Sequence, residues 1–183
     1  MIQRVYEQAL QAVSLVGAIV ATDDERIYEA VSAFGGLAVM TDPNHPSGTD
    51  RCAEALLSSG IDADAVINIQ GDEPFISPHQ IDLVAEVLKQ GQFSIATLVK
   101  VIQEESELFN PNIPKVVLDM DGSALYFSRQ AIPHLRGIPE DRWLESHRFF
   151  KHIGIYGYTA EVLPRLTVLA QGFLEKAENL EQL

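Results

Sequence analysis

Apolar residues recur at helical spacing from the start of the chain. Ile2, Val5, Tyr6, Ala9, Leu10 and Val13 share one face of a predicted helix over residues 1–14. The run VGAIVAT (16–22) is short, apolar and rich in β-branched residues, so it predicts a buried strand. Asp23 or Asp24 ends it and caps a helix to about Phe34, which Gly35-Gly36 stops. LAVMT (37–41) predicts a second short strand, and DPNHPSGTD (42–50) a turn-rich loop before a helix over about 50–59 that Gly60 ends. DAVINIQ (64–70) is the clearest buried strand; after GDEPFISP, Ser77-Pro78 starts a helix through about Lys89. FSIATLVKV (93–101) is one more strand.

Strand and helix alternate, which predicts an α/β, doubly wound layer structure with a mainly parallel sheet. From about residue 115 the pattern changes. KVVLDMDGSALYFSR predicts two strands around an Asp121-Gly122 hairpin turn, and KHIGIYGYTAEVL a strand entering a helix. HLRGIPEDRWLESHRFF (134–150) has no clean period and predicts a long, partly mobile connection. At 183 residues, one sizeable core is expected. The chain opens directly in a helix and closes at ENLEQL inside another, so the expectation is a single domain, 1–183, incomplete at both ends.

A formal charge of −13 argues against a protein that wraps nucleic acid, because broad phosphate contact requires a basic footprint. A few Arg and Lys side chains can still hold a small anionic ligand. One cysteine, Cys52, excludes an intrachain disulfide and fits a reducing compartment, where it reads as a buried helix residue. No apolar run approaches the roughly 18–20 residues of a membrane span, and the N-terminus lacks a signal peptide's apolar core, so a cytoplasmic location is expected.

Four segments can carry chemistry. In open α/β sheets, ligands bind beyond the carboxyl ends of the strands. Val66-Ile67-Asn68-Ile69-Gln70-Gly71-Asp72-Glu73-Pro74 delivers an amide, a glycine and two carboxylates to such an end. Asp72 is placed to hold Mg²⁺, which takes one or two carboxylates plus substrate phosphates; a tight turn chosen for geometry is the competing reading. Pro46-Ser47-Gly48-Thr49-Asp50-Arg51 leads into a helix, either as a plain cap or with free N–H groups that meet a ligand. Ala124-Leu125-Tyr126-Phe127-Ser128-Arg129 leaves at a strand end an arginine suited to carboxylate or phosphate, or a surface arginine. Lys151-His152-Ile153-Gly154-Ile155-Tyr156-Gly157-Tyr158 joins a basic pair to a glycine- and tyrosine-bearing strand. There is no Walker A loop, no Gly-x-Gly-x-x-Gly, no zinc-type Cys/His spacing and no Gly-x-Ser-x-Gly.

Taken in order, HPSGTDR, VINIQGDEPFI, FNPNIPKVVLDMDGSALYFSRQAIP, FKHIGIYGYTAEVL and LEKAENLEQL resemble the CMP-Kdo synthetase family, the 3-deoxy-manno-octulosonate (Kdo) cytidylyltransferases, over nearly the whole chain. The resemblance implies a nucleotide-diphospho-sugar transferase-like Rossmann-type fold with an added β-hairpin region. It implies a Mg²⁺-dependent enzyme that couples Kdo to CMP from CTP, releasing pyrophosphate, for lipopolysaccharide synthesis, and a homodimer. Asp72 would be the Mg²⁺ ligand beside the CTP phosphates, and with Gln70 the catalytic pair. Ser47, Gly48 and Arg51 would lie at the cytosine and ribose. Gln70, Arg129, His152, Tyr156, Glu181 and Gln182 would surround the Kdo carboxylate and hydroxyls.

The family also carries a first strand with a Gly/Arg/Lys-bearing loop and a final aspartate-bearing turn that these 183 residues do not match. The expectation is that this chain alone binds CTP poorly and turns over little. Another sugar nucleotidyltransferase of the same fold, or a non-catalytic α/β module, remains the alternative.

Overall fold

A computed structural model describes residues 1–183. The chain divides into two compact units, the first formed by 1–97 and 154–169, the second by 98–153 and 170–183.

The first unit opens with α1 (Ile2–Ala9), whose Val5 and Ala9 are buried. β1 (Val20–Thr22) pairs in parallel with β2 (Ala38–Met40), joined by α2 (Glu25–Ala33). The Asp24 carboxylate caps α2 by accepting from the Arg26 N–H, as its position predicts. α3 (Gly48–Ser59) ends at Gly60, and β3 (Ala65–Asn68) follows. α4 (Pro78–Lys89) begins at Ser77, whose backbone N–H donates to Gln80 Oε1 at 3.1 Å, with proline in the first turn where no N–H is needed. Ile81, Val84, Ala85 and Leu88 form its buried stripe. Ala53, Tyr158 and Leu163 are the centre of a cluster that also holds Leu56, Val66 and Val162.

β4 (Ile95–Val101) leads into the second unit, where α5 (Glu105–Leu108), β5 (Lys115–Leu118) and β6 (Ala124–Ser128) follow. β5 and β6 form the expected antiparallel hairpin, and Gly122 at its turn has φ +86°, a value that glycine adopts without strain. A short 3-10 turn (Glu140–Arg142) and α6 (Trp143–Ser146) come next. β7 (Phe150–Thr159) returns to the first unit, ending before α7 (Leu163–Leu166), and α8 (Phe173–Glu178) closes the second.

Two expectations change. β1 and β2 are parallel, but β7 runs antiparallel to β3 in the first unit and to β5 in the second. β4 is antiparallel to β7 as well, since Thr159 N donates to Ser94 O near one end and Ile102 N to Phe149 O near the other. The βαβ rhythm that predicts parallel strands stops at residue 101, and β7 arrives after a hairpin and a long connection instead of a helical crossover. The α/β class itself stands. The second change concerns 134–150: Trp143 and Phe149 are buried with Ile102 and Leu108, and Leu135, Ile138 and Leu144 pack against them. That stretch is core. It lacks a period because it contributes isolated anchors, not a continuous face.

Candidate functional site

In the first unit, three elements converge. Ser47 is the N-cap of α3, its hydroxyl accepting from Asp50 N at 3.2 Å. Gly48 follows at the first helical position, where a Cβ would lie 3.3 Å from the Asn68 side chain at the end of β3. The close approach thus brings the SGT segment onto the strand that carries the carboxylates. Thr49 Oγ1 meets Tyr158 OH at 3.1 Å, joining the same helical turn to β7. Tyr158 in turn stacks on Tyr156, with ring centroids 6.0 Å apart.

The β3–β7 register pairs Asn68 with Tyr156, and counting two residues further sets Gln70 opposite Gly154. A Cβ at Gly154 would lie 2.9 Å from Gln70 Nε2, so the glycine leaves room for the amide. Glu73 N donates to Gln70 O at 3.2 Å and closes the turn. Asp72 and Glu73 are both exposed on it. No group of three His, Cys, Asp or Glu side chains is arranged to hold a metal ion. Exposed carboxylates on such a turn would suit a Mg²⁺ that arrives with nucleotide phosphates better than an all-protein cage.

Arg51, expected at the nucleotide, is held in place by two side chains of the first unit. Its guanidinium donates to Thr41 Oγ1 at 2.5 Å and pairs with Asp23 at 3.3 Å. These contacts tie α3 to the ends of β1 and β2. His45 similarly pairs with Glu54 and orders the 42–47 loop. Cys52 is half-buried in α3, and burial pushes its thiol pKa up to about 11, which makes it a poor nucleophile at neutral pH.

In the second unit, Arg129 and the chain's last residues come together. Arg129 donates from Nε to Glu178 O at 2.6 Å, and from its two terminal nitrogens to Asn179 O and Pro111 O at 3.0 Å each. The Glu178 carboxylate accepts from Ser128 Oγ at 2.7 Å and from Arg129 N at 3.0 Å. Those bonds, led by the Arg129 backbone N–H, hold its pKa below the usual range. Glu181 is exposed and Gln182 half-buried, just beyond the buried Leu180 and its neighbours Val116 and Phe127. His152 lies edge-on to Phe127 at 5.5 Å, and its backbone N–H donates to Pro114 O at 2.9 Å.

The sequence is similar throughout to a group of known proteins. Residues 1–183 match the family described as cytidylyltransferase. The chain belongs to that family. It is 54% identical to the 3-deoxy-manno-octulosonate cytidylyltransferase of Parabacteroides distasonis, over all of this chain and 74% of that protein. It is 50% identical to the protein of the same name from Cytophaga hutchinsonii, covering 73% of it. Among solved structures, CMP:2-keto-3-deoxy-manno-octonic acid synthetase complexed with CTP superposes with a TM-score of 0.90 at 42% identity, covering 99% of this chain and 72% of that one.

Within this cytidylyltransferase, sequence reasoning missed the residues that fix the others. Glu178 and Lys115 lie within the segments LEKAENLEQL and FNPNIPKVVLDMDGSALYFSRQAIP, but nothing in either segment singles them out. Lys115 is fully buried, its ammonium donating to Asn110 O at 2.8 Å, and burial pulls its pKa down. The nearest signal is the charge alternation of LEKAENLEQL, which does not say which carboxylate turns inward.

His152 makes stability depend on pH. Desolvation lowers its pKa from 6.5 to about 4. The unfolded chain therefore binds the proton first, and stability present above pH 6.5 falls as the pH drops towards 4. His152→Gln is expected to flatten that slope in urea titrations between pH 6.5 and about 5. Parallel curves for the two proteins would show that His152 is not the group responsible.

Proposed function

We propose that this chain is a 3-deoxy-manno-octulosonate cytidylyltransferase that couples Kdo to CMP from CTP with release of pyrophosphate. One observation carries the reading: the exposed Gln70–Glu73 turn stands at the end of β3, beside the α3 N-terminus, in a chain 54% identical along its whole length to a protein of that name. The first turn of α3, capped by Ser47 and pressed onto β3 at Gly48, would take the nucleoside end of CTP. Asp72 would hold Mg²⁺ against the phosphates. Gln70, on the β7 side of the same turn, would orient the sugar.

In the reaction, the Kdo anomeric oxygen forms a bond to the α-phosphorus, its proton goes to solvent, and the bond from that phosphorus to the bridging oxygen breaks to release pyrophosphate. Bound Mg²⁺ supplies charge neutralisation on the phosphates. The chain's residues contribute alignment and hydrogen bonds, which dominate such transfers. Arg129, His152, Tyr156, Glu181 and Gln182 are assigned to the sugar, and Arg51, with Ser47 and Gly48, to the nucleotide. The reading brings with it a role in lipopolysaccharide synthesis, a cytoplasmic location and a homodimer. No helix is long and apolar enough to cross a membrane.

The test is pyrophosphate release from CTP and Kdo with Mg²⁺. It is run on this chain and on this chain extended with the flanking segments of the Parabacteroides distasonis protein. Release that requires both CTP and Kdo, larger in the extended form, is expected. Release with other sugars but not Kdo, or none in either form, overturns the assignment.

A further inference from the structure

One carboxylate in the second unit makes more bonds than a helix-end glutamate requires. Glu178 closes α8, and its Oε1 accepts from Ser128 Oγ at 2.7 Å and Tyr126 OH at 3.4 Å, while Oε2 accepts from Arg129 N at 3.0 Å. The contact is reciprocated. Arg129 reaches back to the carbonyls of Glu178 and Asn179, and its third bond holds Pro111. Asn179 has φ 52°, the left-handed conformation that ends α8 and turns the chain inward. Leu180 is then buried among Val116 and Phe127, and Leu183 N closes a turn on Leu180 O at 3.3 Å. Residues 179–183 are thus anchored by a polar latch on one side and an apolar plug on the other.

We propose that Glu178 is a positioning residue for the sugar-acid half of the site: it latches the turn bearing Glu181 and Gln182 onto the end of β6 and sets Arg129. The inference rests on the Kdo reading above. Three of the five N–H bonds of Arg129 are spent on backbone carbonyls, which fixes the plane of the guanidinium and leaves two N–H bonds for a planar carboxylate such as that of a 2-keto sugar acid. A carboxylate accepts from all three donors, and its charge strengthens each bond. An amide of the same shape can accept from the Arg129 N–H and reach the Ser128 and Tyr126 hydroxyls only by making them acceptors, so weaker neutral bonds replace charge-assisted ones.

Glu178→Gln tests this in two ways. Hydrogen exchange on the 183-residue chain is expected to quicken by about tenfold or more at residues 179–183, with α3 (48–59) unchanged. In the form that turns over, KM for Kdo is expected to rise about tenfold while KM for CTP stays within about twofold. Lys176→Gln, on the exposed face of α8, is the control for charge and should move neither. Unchanged exchange at 179–183, or equal rises in both KM values, overturns the positioning role. If the unmodified protein turns over no Kdo in either form, the Kdo reading itself falls, and the exchange data still decide whether the latch exists.

Discussion

Asp72→Asn is expected to reduce pyrophosphate release about 100- to 1,000-fold, the range for losing several kcal/mol of charge stabilisation at a transferring phosphoryl group. The substitution changes one oxygen to an amide and little else, because Asp72 is exposed on the Gln70–Glu73 turn. Its melting temperature should therefore match that of the unmodified protein. The lost activity should return in part at higher Mg²⁺, since a weakened ligand raises the metal concentration needed and does not abolish binding. Glu73→Gln is the comparison, one residue further along the same exposed turn. A large loss with Glu73→Gln and a small one with Asp72→Asn would move the metal carboxylate to Glu73. A small loss with both would remove this turn from the chemistry.

The contrast between Asp72 and Glu178 shows what the sequence reveals. Gln70-Gly71-Asp72-Glu73-Pro74 is contiguous and follows an unmistakable apolar strand, so its place at a strand's carboxyl end is legible from the residue order alone. The same holds for the Asp24 cap, the Ser77-Pro78 helix start and the Asp121-Gly122 turn, each of which is decided by a few neighbouring residues. Glu178 and Arg129 are 49 residues apart, and nothing local to either announces the other. Arg51 is legible as part of a motif, yet its partners Thr41 and Asp23 lie in loops at the ends of other strands, so those contacts are not. Strand direction is hidden for a related reason. Hydrophobic periodicity marks β7 as a strand, but direction depends on how the chain arrives there.

Trp143 is the clearest case of core hidden from pattern reading, and Trp143→Ala should carry the largest cost in stability. The indole is 3% exposed, stacks on Phe149 with centroids 5.8 Å apart, meets His134 edge-on at 5.2 Å, and donates to Ile138 O at 2.9 Å. Removing a buried tryptophan costs about 3–5 kcal/mol, the lost transfer energy plus the cavity left behind. At about 2–4 °C per kcal/mol for a chain of this length, the melting temperature should fall by roughly 6–20 °C. Trp143→Phe keeps the ring stack and loses the bond to Ile138 O, so it should fall by less. Calorimetry reads both, and because Trp143 is the chain's one tryptophan, fluorescence of the unmodified protein reports on the second unit alone. A shift below about 2 °C for Trp143→Ala would mean that 134–150 is the loose connection its irregular sequence suggests, for a side chain that closes a core cannot be removed so cheaply.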